Sequence, residues 1–92
     1  MAAEPPAPAP ANTGRKPMTL KQLRLLREID RQSLNLSAAA QALHTSQPGV
    51  SKQLKLLEEE LGFPVFERDG RNLTRVTPAG QEVVDRALRI LE

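Results

Sequence analysis

The stretch "HTSQPGVSKQLKLLEEELG", residues 44–62, decides the fold because it carries the signals that begin, orient and end one helix. Thr45 or Ser46 is a suitable N-cap, and the proline that follows is tolerated in a first turn, where an N–H has no intrahelical partner to lose. Gly62 then ends the helix, as glycine commonly does. Between these ends, apolar residues recur at i, i+4, i+7 and i+11 and predict one buried stripe, formed by Val50, Leu54, Leu57 and Leu61.

The face opposite this stripe carries small and basic residues. At about 100° per residue it presents Pro48, Ser51, Lys52, Lys55 and Glu59, with Gln47 at its flank. Gly49 adds no side chain, so neighbouring groups can come close to a partner. The acids are concentrated at the far end, in Glu58, Glu59 and Glu60. Such a face fits a polyanion, although the ordinary solvated face of an amphipathic helix, with Gly49 merely tolerated, explains the same residues.

Two further helices are predicted before this stretch. Leucines and an isoleucine at helical spacing predict a first helix over about 19–32, with Thr19 as its N-cap. The segment "SLNLS" then breaks it, and Ser37 is predicted to cap a short second helix over 38–43. Three consecutive alanines, residues 38–40, offer no bulk to a core, so we expect another helix to approach them closely.

Two helices joined by a turn of about three residues match a helix-turn-helix, whose second helix enters the DNA major groove by its N-terminal end. The turn, residues 43–45, lacks the glycine common in such turns, and His44 is expected to fill it rather than do chemistry. Gln47 suits adenine or a phosphate, and Ser51 suits a base or a phosphate. The recognition helix, which is the second helix of this unit and the third predicted in the chain, has the following predicted DNA-binding residues at its start and along its face: Thr45, Ser46, Gln47, Pro48, Gly49, Ser51, Lys52 and Lys55.

A short basic hairpin is predicted after this helix. Val65 and Phe66 start one strand, residues 74–76 form the other, and Asp69-Gly70 supplies the turn. A hairpin in this place is a wing, and its arginines can reach the DNA backbone or the minor groove. The predicted DNA contacts outside the recognition helix are Ser37, at the start of the preceding helix, and the hairpin residues Arg68, Arg71 and Arg75. The alternative is a structural hairpin with solvated arginines.

A last helix is predicted from Pro78, with Thr77 as its N-cap. Its apolar stripe is still running at Glu92, so we interpret the sequence as ending within a helix. A stripe this aliphatic needs a partner, which predicts pairing with the same helix of a second chain. The predicted dimerisation residues are Val84, Ala87, Leu88 and Leu91.

Composition limits the remaining possibilities. The chain has 92 residues, a formal net charge of +2, no Cys and one His, which allows one small domain without a disulfide framework or a thiolate metal site. Residues 1–17 hold five of the eight prolines and are predicted to be a disordered or polyproline-like tail. We expect no enzyme: Gly49 and Ser51 match half of a nucleophile elbow, but Gln53 stands where glycine is needed.

Residues 18–92 resemble the N-terminal domain of LysR-type bacterial transcriptional regulators. The matching pieces are Ala39-Ala40, Leu43-His44, Ser46-Gln47-Pro48, Ser51-Lys52-Gln53, Leu57-Glu58, Leu61-Gly62, Phe66-x-Arg68 and Thr77-x-Ala79-Gly80. The segments "TSQPGVSKQ" and "LTRVTPAGQE" are more similar still to the CysB-like branch, the regulators of sulfur assimilation. Gly49 and Lys52 replace the Ala and Arg usual in the family, and these departures favour that branch.

The resemblance implies a mainly α fold with a small β-hairpin: a winged helix-turn-helix over 18–77, then the start of a dimerising linker helix over 78–92. It implies that Gln47, Pro48, Ser51 and Lys52 line the groove and that Arg68 and Arg71 support the wing. The implied partners are promoter DNA with an interrupted palindrome and a second copy of the chain, in the bacterial cytoplasm.

The resemblance also implies that the effector-binding domain of the family lies outside these residues. They are therefore expected to bind no cofactor, whereas the intact protein is expected to bind a small sulfur-pathway metabolite, such as an acetylated serine. Three other functions remain open: a winged helix used only for protein–protein contact, a regulator of another pathway in the same family, and a sequence-indifferent DNA-packaging protein. The last usually carries far more positive charge than +2.

Overall fold

The computed structural model describes residues 18–92, so the predicted Pro-rich tail lies outside the described residues. Within these described residues, four helices and one antiparallel hairpin follow one another: α1 Leu20–Arg31, α2 Leu36–Ala42, α3 Gln47–Leu61, β1 Phe66–Asp69, β2 Asn72–Val76 and α4 Pro78–Leu91. This order confirms the predicted mainly α fold with a wing after the third helix. Within 18–92 no helix is both long enough and apolar enough to span a membrane.

Three helices begin at the caps that the sequence predicts. The Thr19 hydroxyl accepts a hydrogen bond from the Gln22 N–H at 3.1 Å, and the Gln22 side chain accepts one from the Thr19 N–H at 3.0 Å, which completes a capping box. Ser46 accepts from the N–H of Gly49 at 3.1 Å and caps α3. Thr77 caps α4 in the same way. These side chains satisfy N–H groups that have no partner inside the helix.

The predicted start of α2 is wrong. The helix begins at Leu36 rather than at residue 38, and its N-cap is Asn35, whose side chain accepts a 3.0 Å hydrogen bond from the Ala38 N–H. Asn caps a helix as well as Ser does, and the earlier start buries Leu36 in the core. Ser37 therefore lies in the first turn of α2, where its hydroxyl is available for another partner.

The turn between α2 and α3 is built without glycine. His44 takes the left-handed conformation, with φ 57°, that glycine usually supplies after a helix. Its N–H donates to the Gln41 carbonyl at 3.1 Å, and the Thr45 N–H donates to the Ala40 carbonyl at 2.9 Å. These two bonds form a Schellman motif, which ends α2 and turns the chain into α3.

The core is aliphatic apart from one phenylalanine, and it confirms the close approach predicted at the alanines. Ala39 and Ala40 are buried where α2 packs against α3. Leu20, the first of the apolar residues that predict the first helix, is exposed, and Leu61, the last residue of the predicted stripe of α3, is half-buried. The buried apolar residues are Leu23, Leu25, Leu26, Ile29, Leu36, Ala39, Ala40, Val50, Leu54, Leu57, Val65, Phe66, Leu73, Val84 and Ala87.

Two of the predicted dimerisation residues belong to this core. Val84 and Ala87 have no exposed surface in the single chain, because α4 packs along α1. They could reach a second chain only if that packing opened, and their assignment to an interface between two chains stays a prediction. Leu88 and Leu91 are half-buried against the same core, whereas Ile90 is 64% exposed. Of the large apolar side chains of α4 in the described residues, Ile90 is the one that stays exposed.

The turn of the hairpin lies one residue later in the chain than predicted. Asp69 pairs with Asn72, so it is the last residue of β1 and the two-residue loop is Gly70-Arg71. Gly70 has φ 66°, a conformation that suits glycine in a tight hairpin. Val65 precedes β1 instead of starting it. The consequence for the surface is that Arg71 stands in the loop at the tip of the hairpin.

Candidate nucleic-acid interface

Helix α3 is held on three sides and exposed on the fourth. Its apolar stripe faces the core, and near its end Glu58 contacts the hairpin while Glu60 accepts a 3.1 Å hydrogen bond from the Gln22 side chain of α1. The hairpin and α1 therefore lie on opposite flanks of α3. The outward face is the one that the sequence predicts, and its exposed residues are Pro48, Lys52, Lys55 and Glu59.

The N-terminal half of α3 and the hairpin together line an open cleft of about 540 Å³, here called the wing cleft. Five residues that the sequence places in a DNA-binding surface meet there. They are Gln47, Pro48 and Ser51 of the helix, and Arg68 and Arg71 of the hairpin. The chain thus brings two separate predicted segments to one concave surface with a basic wall.

Ser37 joins the same surface through Gln47. Its hydroxyl donates a 2.6 Å hydrogen bond to the side-chain carbonyl of Gln47, and both residues line a second cleft that also reaches Arg71. This bond fixes the orientation of the Gln47 amide, so that its NH2 group is the side available to an outside acceptor. The carbonyl oxygen keeps a second lone pair, so the amide can still bind adenine with both of its ends.

The three wing arginines are not equivalent. Arg68 is ion-paired with Glu58 and its side chain is 34% exposed. Arg75 lies across the hairpin from Glu67, which it contacts at 3.0 Å, and it lines neither cleft. Arg71 makes no ion pair with any residue in the described range 18–92 and borders both clefts. Of the three, Arg71 has the charge that an external anion can use most directly.

Glu58 has a role that the sequence pattern did not reveal. The pattern grouped it with two other glutamates as acid kept away from the basic face, but its side chain is only 11% exposed. Its carboxylate accepts hydrogen bonds from the backbone N–H groups of Val65 at 2.7 Å and Phe66 at 3.3 Å, besides its pair with Arg68. Glu58 follows Leu54 by one helical turn, beside the buried stripe, and an acid at such a position needs a partner.

The base of the hairpin is also fixed to α4. The N–H of Thr77 donates to the Val65 carbonyl at 2.9 Å. Gly80 approaches the same residue so closely that a Cβ added there would stand 2.1 Å from the Val65 oxygen. Val65 is therefore held from both directions, by Glu58 of α3 and by the first turn of α4. This anchoring sets the angle of the wing relative to α3.

Gly49 has an explanation within the chain. A Cβ at this position would lie 2.9 Å from the Thr45 hydroxyl oxygen and 3.1 Å from the Ser46 hydroxyl oxygen. Ser46 is the cap of the same helix, so the glycine leaves room for the capping geometry. The prediction that Gly49 lets a partner come close is not tested by these distances and stays a prediction.

No group of three or more His, Cys, Asp or Glu within residues 18–92 could hold a metal ion.

Comparison with known proteins adds a family and a set of relatives. A family model described as bacterial regulatory helix-turn-helix protein, lysR family, matches residues 20–81. The chain is 50% identical over 74 residues to the HTH-type transcriptional regulator CysB of Haemophilus influenzae, covering 80% of this chain and 23% of that protein. It is 52% identical over 66 residues to the HTH-type transcriptional regulator SsuR of Burkholderia cenocepacia, covering 72% and 21%. The chain thus spans less than a quarter of either relative.

Solved structures share the fold. The DNA-binding domain of CbnR in a complex with DNA superposes with a TM-score of 0.71 at 36% identity, over 80% of this chain and 83% of that one. The DNA-binding domain of BenM with its benA site 1 DNA gives a TM-score of 0.70 at 35% identity, over 80% and 81%. Their identities and coverage make the likeness one of sequence as well as of fold.

Proposed function

The chain belongs to the lysR family of bacterial regulatory helix-turn-helix proteins, and we propose that residues 18–77 bind double-stranded DNA sequence-specifically for a transcriptional regulator of sulfur metabolism. Residues 78–92 then begin the linker helix that pairs two such units. Transcriptional regulation follows from the family.

The observation that carries DNA binding is the wing cleft beside the exposed face of α3. Gln47 and Ser51 offer donors and acceptors suited to base edges. Lys52, Lys55 and Arg71 surround them with positive charge that no acid within residues 18–92 neutralises through an ion pair. Hydrogen-bonding groups at the centre and unpaired cations at the edge suit base reading combined with phosphate contact. The CbnR and BenM domains, which were solved in complexes with DNA, share this fold.

Control of sulfur metabolism is supported by the sequence of the same surface. The segment "TSQPGVSKQ" covers the end of the turn and the first half of α3, and it is one of the two segments that are more similar to the CysB-like branch. The half of α3 that is proposed to enter the DNA major groove would then be the part whose sequence is shared with that branch. The identity of 50% to a CysB protein agrees with this reading.

The intact protein would contain more than this domain, since the relatives are several times longer than the match. We propose that it binds a small sulfur-pathway effector outside residues 18–92 and acts as a dimer. In the proposed dimer, Leu88 and Leu91, which the sequence predicts for the contact with the second chain, are joined by the exposed Ile90, while Val84 and Ala87 pack in the core of their own chain.

A gel shift tests the function. Residues 1–92 are mixed with an A/T-rich interrupted palindrome from the promoter of a sulfur-assimilation gene, in the presence of scrambled competitor. A matched palindrome from an unrelated promoter is the control for the pathway. A shift that survives competitor only on the first DNA supports both sequence-specific binding and the sulfur assignment. Equal shifts on the two palindromes remove the sulfur assignment. If scrambled competitor abolishes every shift, sequence-specific binding is removed.

A further inference from the structure

A third open cleft lies on the flank of α3 opposite the hairpin, where the first turns of α1 meet the helix-turn-helix turn. Its volume is about 580 Å³, and it is here called the α1 cleft. Lys21 and Arg24 of α1 form one side, His44 and Thr45 of the turn form another, and Gln53 closes it from α3. None of the three basic residues of this cleft belongs to the DNA-binding surface that the sequence predicts.

The charge of the α1 cleft is positive and uncompensated. No Asp or Glu is among its lining residues. Lys21 and Arg24 are exposed, lie on successive turns of one helix face, and form no ion pair with any residue from 18 to 92. Thr45 and Gln53 add neutral hydrogen-bonding groups. Two unpaired cations with neutral donors beside them are the chemistry that binds a phosphate.

His44 adds an independent observation. It adopts a left-handed backbone conformation that costs a non-glycine residue free energy, at a position where glycine would cost less. Its side chain is exposed and lines the α1 cleft. Packing in the core does not explain this exposed side chain, and its imidazole is available for a contact outside the chain.

The α1 cleft lies where one backbone of the proposed DNA would pass. A helix with its side chains is about 10–12 Å across, and the major groove is about 12 Å wide, so a sugar-phosphate backbone runs along each flank of a helix in the groove. The hairpin, with Arg71, stands on one flank of α3. The α1 cleft stands on the opposite flank and borders Thr45, directly before the end of α3 that enters the groove.

We propose that Lys21, Arg24 and His44 bind a backbone phosphate of the DNA strand opposite the one that the wing contacts. The inference rests on the proposed function, since it needs α3 in a major groove. The α1 cleft then acts as the counterpart of the wing and fixes the angle of α3 between two strands. It carries no sequence information of its own, because phosphate contacts set register rather than read bases.

The double variant Lys21→Gln, Arg24→Gln tests the cations. Its affinity for a duplex with one half-site is measured over a salt series beside wild-type chain and the control Arg86→Gln, Arg89→Gln, which removes the same charge from exposed positions on α4. We expect the first variant to lower the slope of log affinity against log salt by about 0.9 for each phosphate that it no longer neutralises. We expect the control to keep the wild-type slope.

A scan of neutral methylphosphonates, one phosphate at a time, locates the contact. At one position the substitution should weaken wild-type binding and leave the double variant unaffected. If the wild-type chain binds the half-site but the double variant and the α4 control have equal slopes, the α1-cleft proposal is overturned and DNA binding stands. If the wild-type chain does not bind at low salt, it is the proposed function that fails.

His44→Gly separates a contact from a structural role. Glycine keeps the left-handed turn and removes only the imidazole, so thermal unfolding should move to higher temperature. Affinity for the half-site should nevertheless fall by roughly two- to tenfold, the loss that one hydrogen bond implies. A variant that is more stable and binds as tightly as wild-type would remove His44 from the proposed site.

Discussion

The carboxylate of Glu58, in the last turns of α3, accepts a 2.7 Å hydrogen bond from the backbone N–H of Val65, the residue before β1. The same carboxylate accepts from the next N–H of the chain and pairs with Arg68. One largely buried side chain therefore joins the proposed recognition helix to the wing. The position of the wing beside α3, and with it the shape of the wing cleft, depends on this link.

Replacing Glu58 with Ala should destabilise the domain and loosen the wing. Two backbone N–H groups and one guanidinium lose their acceptor, which is expected to cost about 1–3 kcal/mol in the free energy of unfolding. Urea denaturation measures the cost. Glu59→Ala is the control, because it removes the same charge one position along the helix from an exposed side chain. Equal effects of the two substitutions would contradict the structural role of Glu58.

Gly80→Ala should be more destabilising than Gly49→Ala. Each glycine is the third residue of its helix and donates its N–H to the cap. A Cβ at Gly80 meets backbone of Val65, whereas at Gly49 it meets two side-chain hydroxyl groups, which can shift at a cost no larger than the Ser46 cap. Overpacking against backbone costs about 1–3 kcal/mol, and alanine in a helix returns up to about 1 kcal/mol. Thermal unfolding of both variants should show the larger loss for Gly80→Ala; the reverse order would refute the close approach to Val65.

Gln47→Ala should weaken binding to the specific DNA more than binding to scrambled DNA. A base contact discriminates by about 1–3 kcal/mol, and Ser51→Ala is expected to behave in the same way. Arg71→Gln and Lys55→Gln should instead weaken binding to both DNAs about equally, because phosphates are the same in every sequence. Fluorescence anisotropy on matched and mutated sites decides between these roles. An equal loss for Gln47→Ala on both DNAs would make it a phosphate contact.

Self-association should respond to Ile90 and not to the buried residues of the same helix. Ile90→Ser should reduce dimer formation on DNA with two half-sites and leave the folded state intact, because the side chain is 64% exposed. Val84→Ser should unfold the domain, because that side chain is fully buried. Sedimentation of the complexes and circular dichroism of the free variants distinguish the two effects. A dimer unchanged by Ile90→Ser would place the contact elsewhere.

Local signals predict the parts of the fold that depend on local chemistry. The caps at Thr19, Ser46 and Thr77 need only a side chain and an N–H three residues later, so the sequence contains their whole explanation. The start of α2 does not follow from such signals, because two good caps compete there and the burial of Leu36 favours Asn35. Nothing in the local pattern distinguishes the two.

The surface is predictable to the extent that it follows from one helix face. The outward position of Lys52 and Lys55 follows from helical periodicity. The bond of Glu58 to Val65 and the burial of Val84 depend on how distant segments pack, and an apolar stripe does not say whether its partner is the same chain or another. The α1 cleft escapes sequence-based prediction for the same reason, since Lys21 and His44 are 23 positions apart.

The most direct test of the central claim is the salt dependence of duplex DNA binding by residues 1–92. The log of the affinity should fall linearly with the log of salt concentration, with a slope that corresponds to roughly 6–10 neutralised phosphates for two domains on a palindrome. Lys52→Gln with Lys55→Gln should make that slope less steep. An affinity that does not change with salt, or no binding even at low salt, would contradict the assignment of α3 and the wing to DNA.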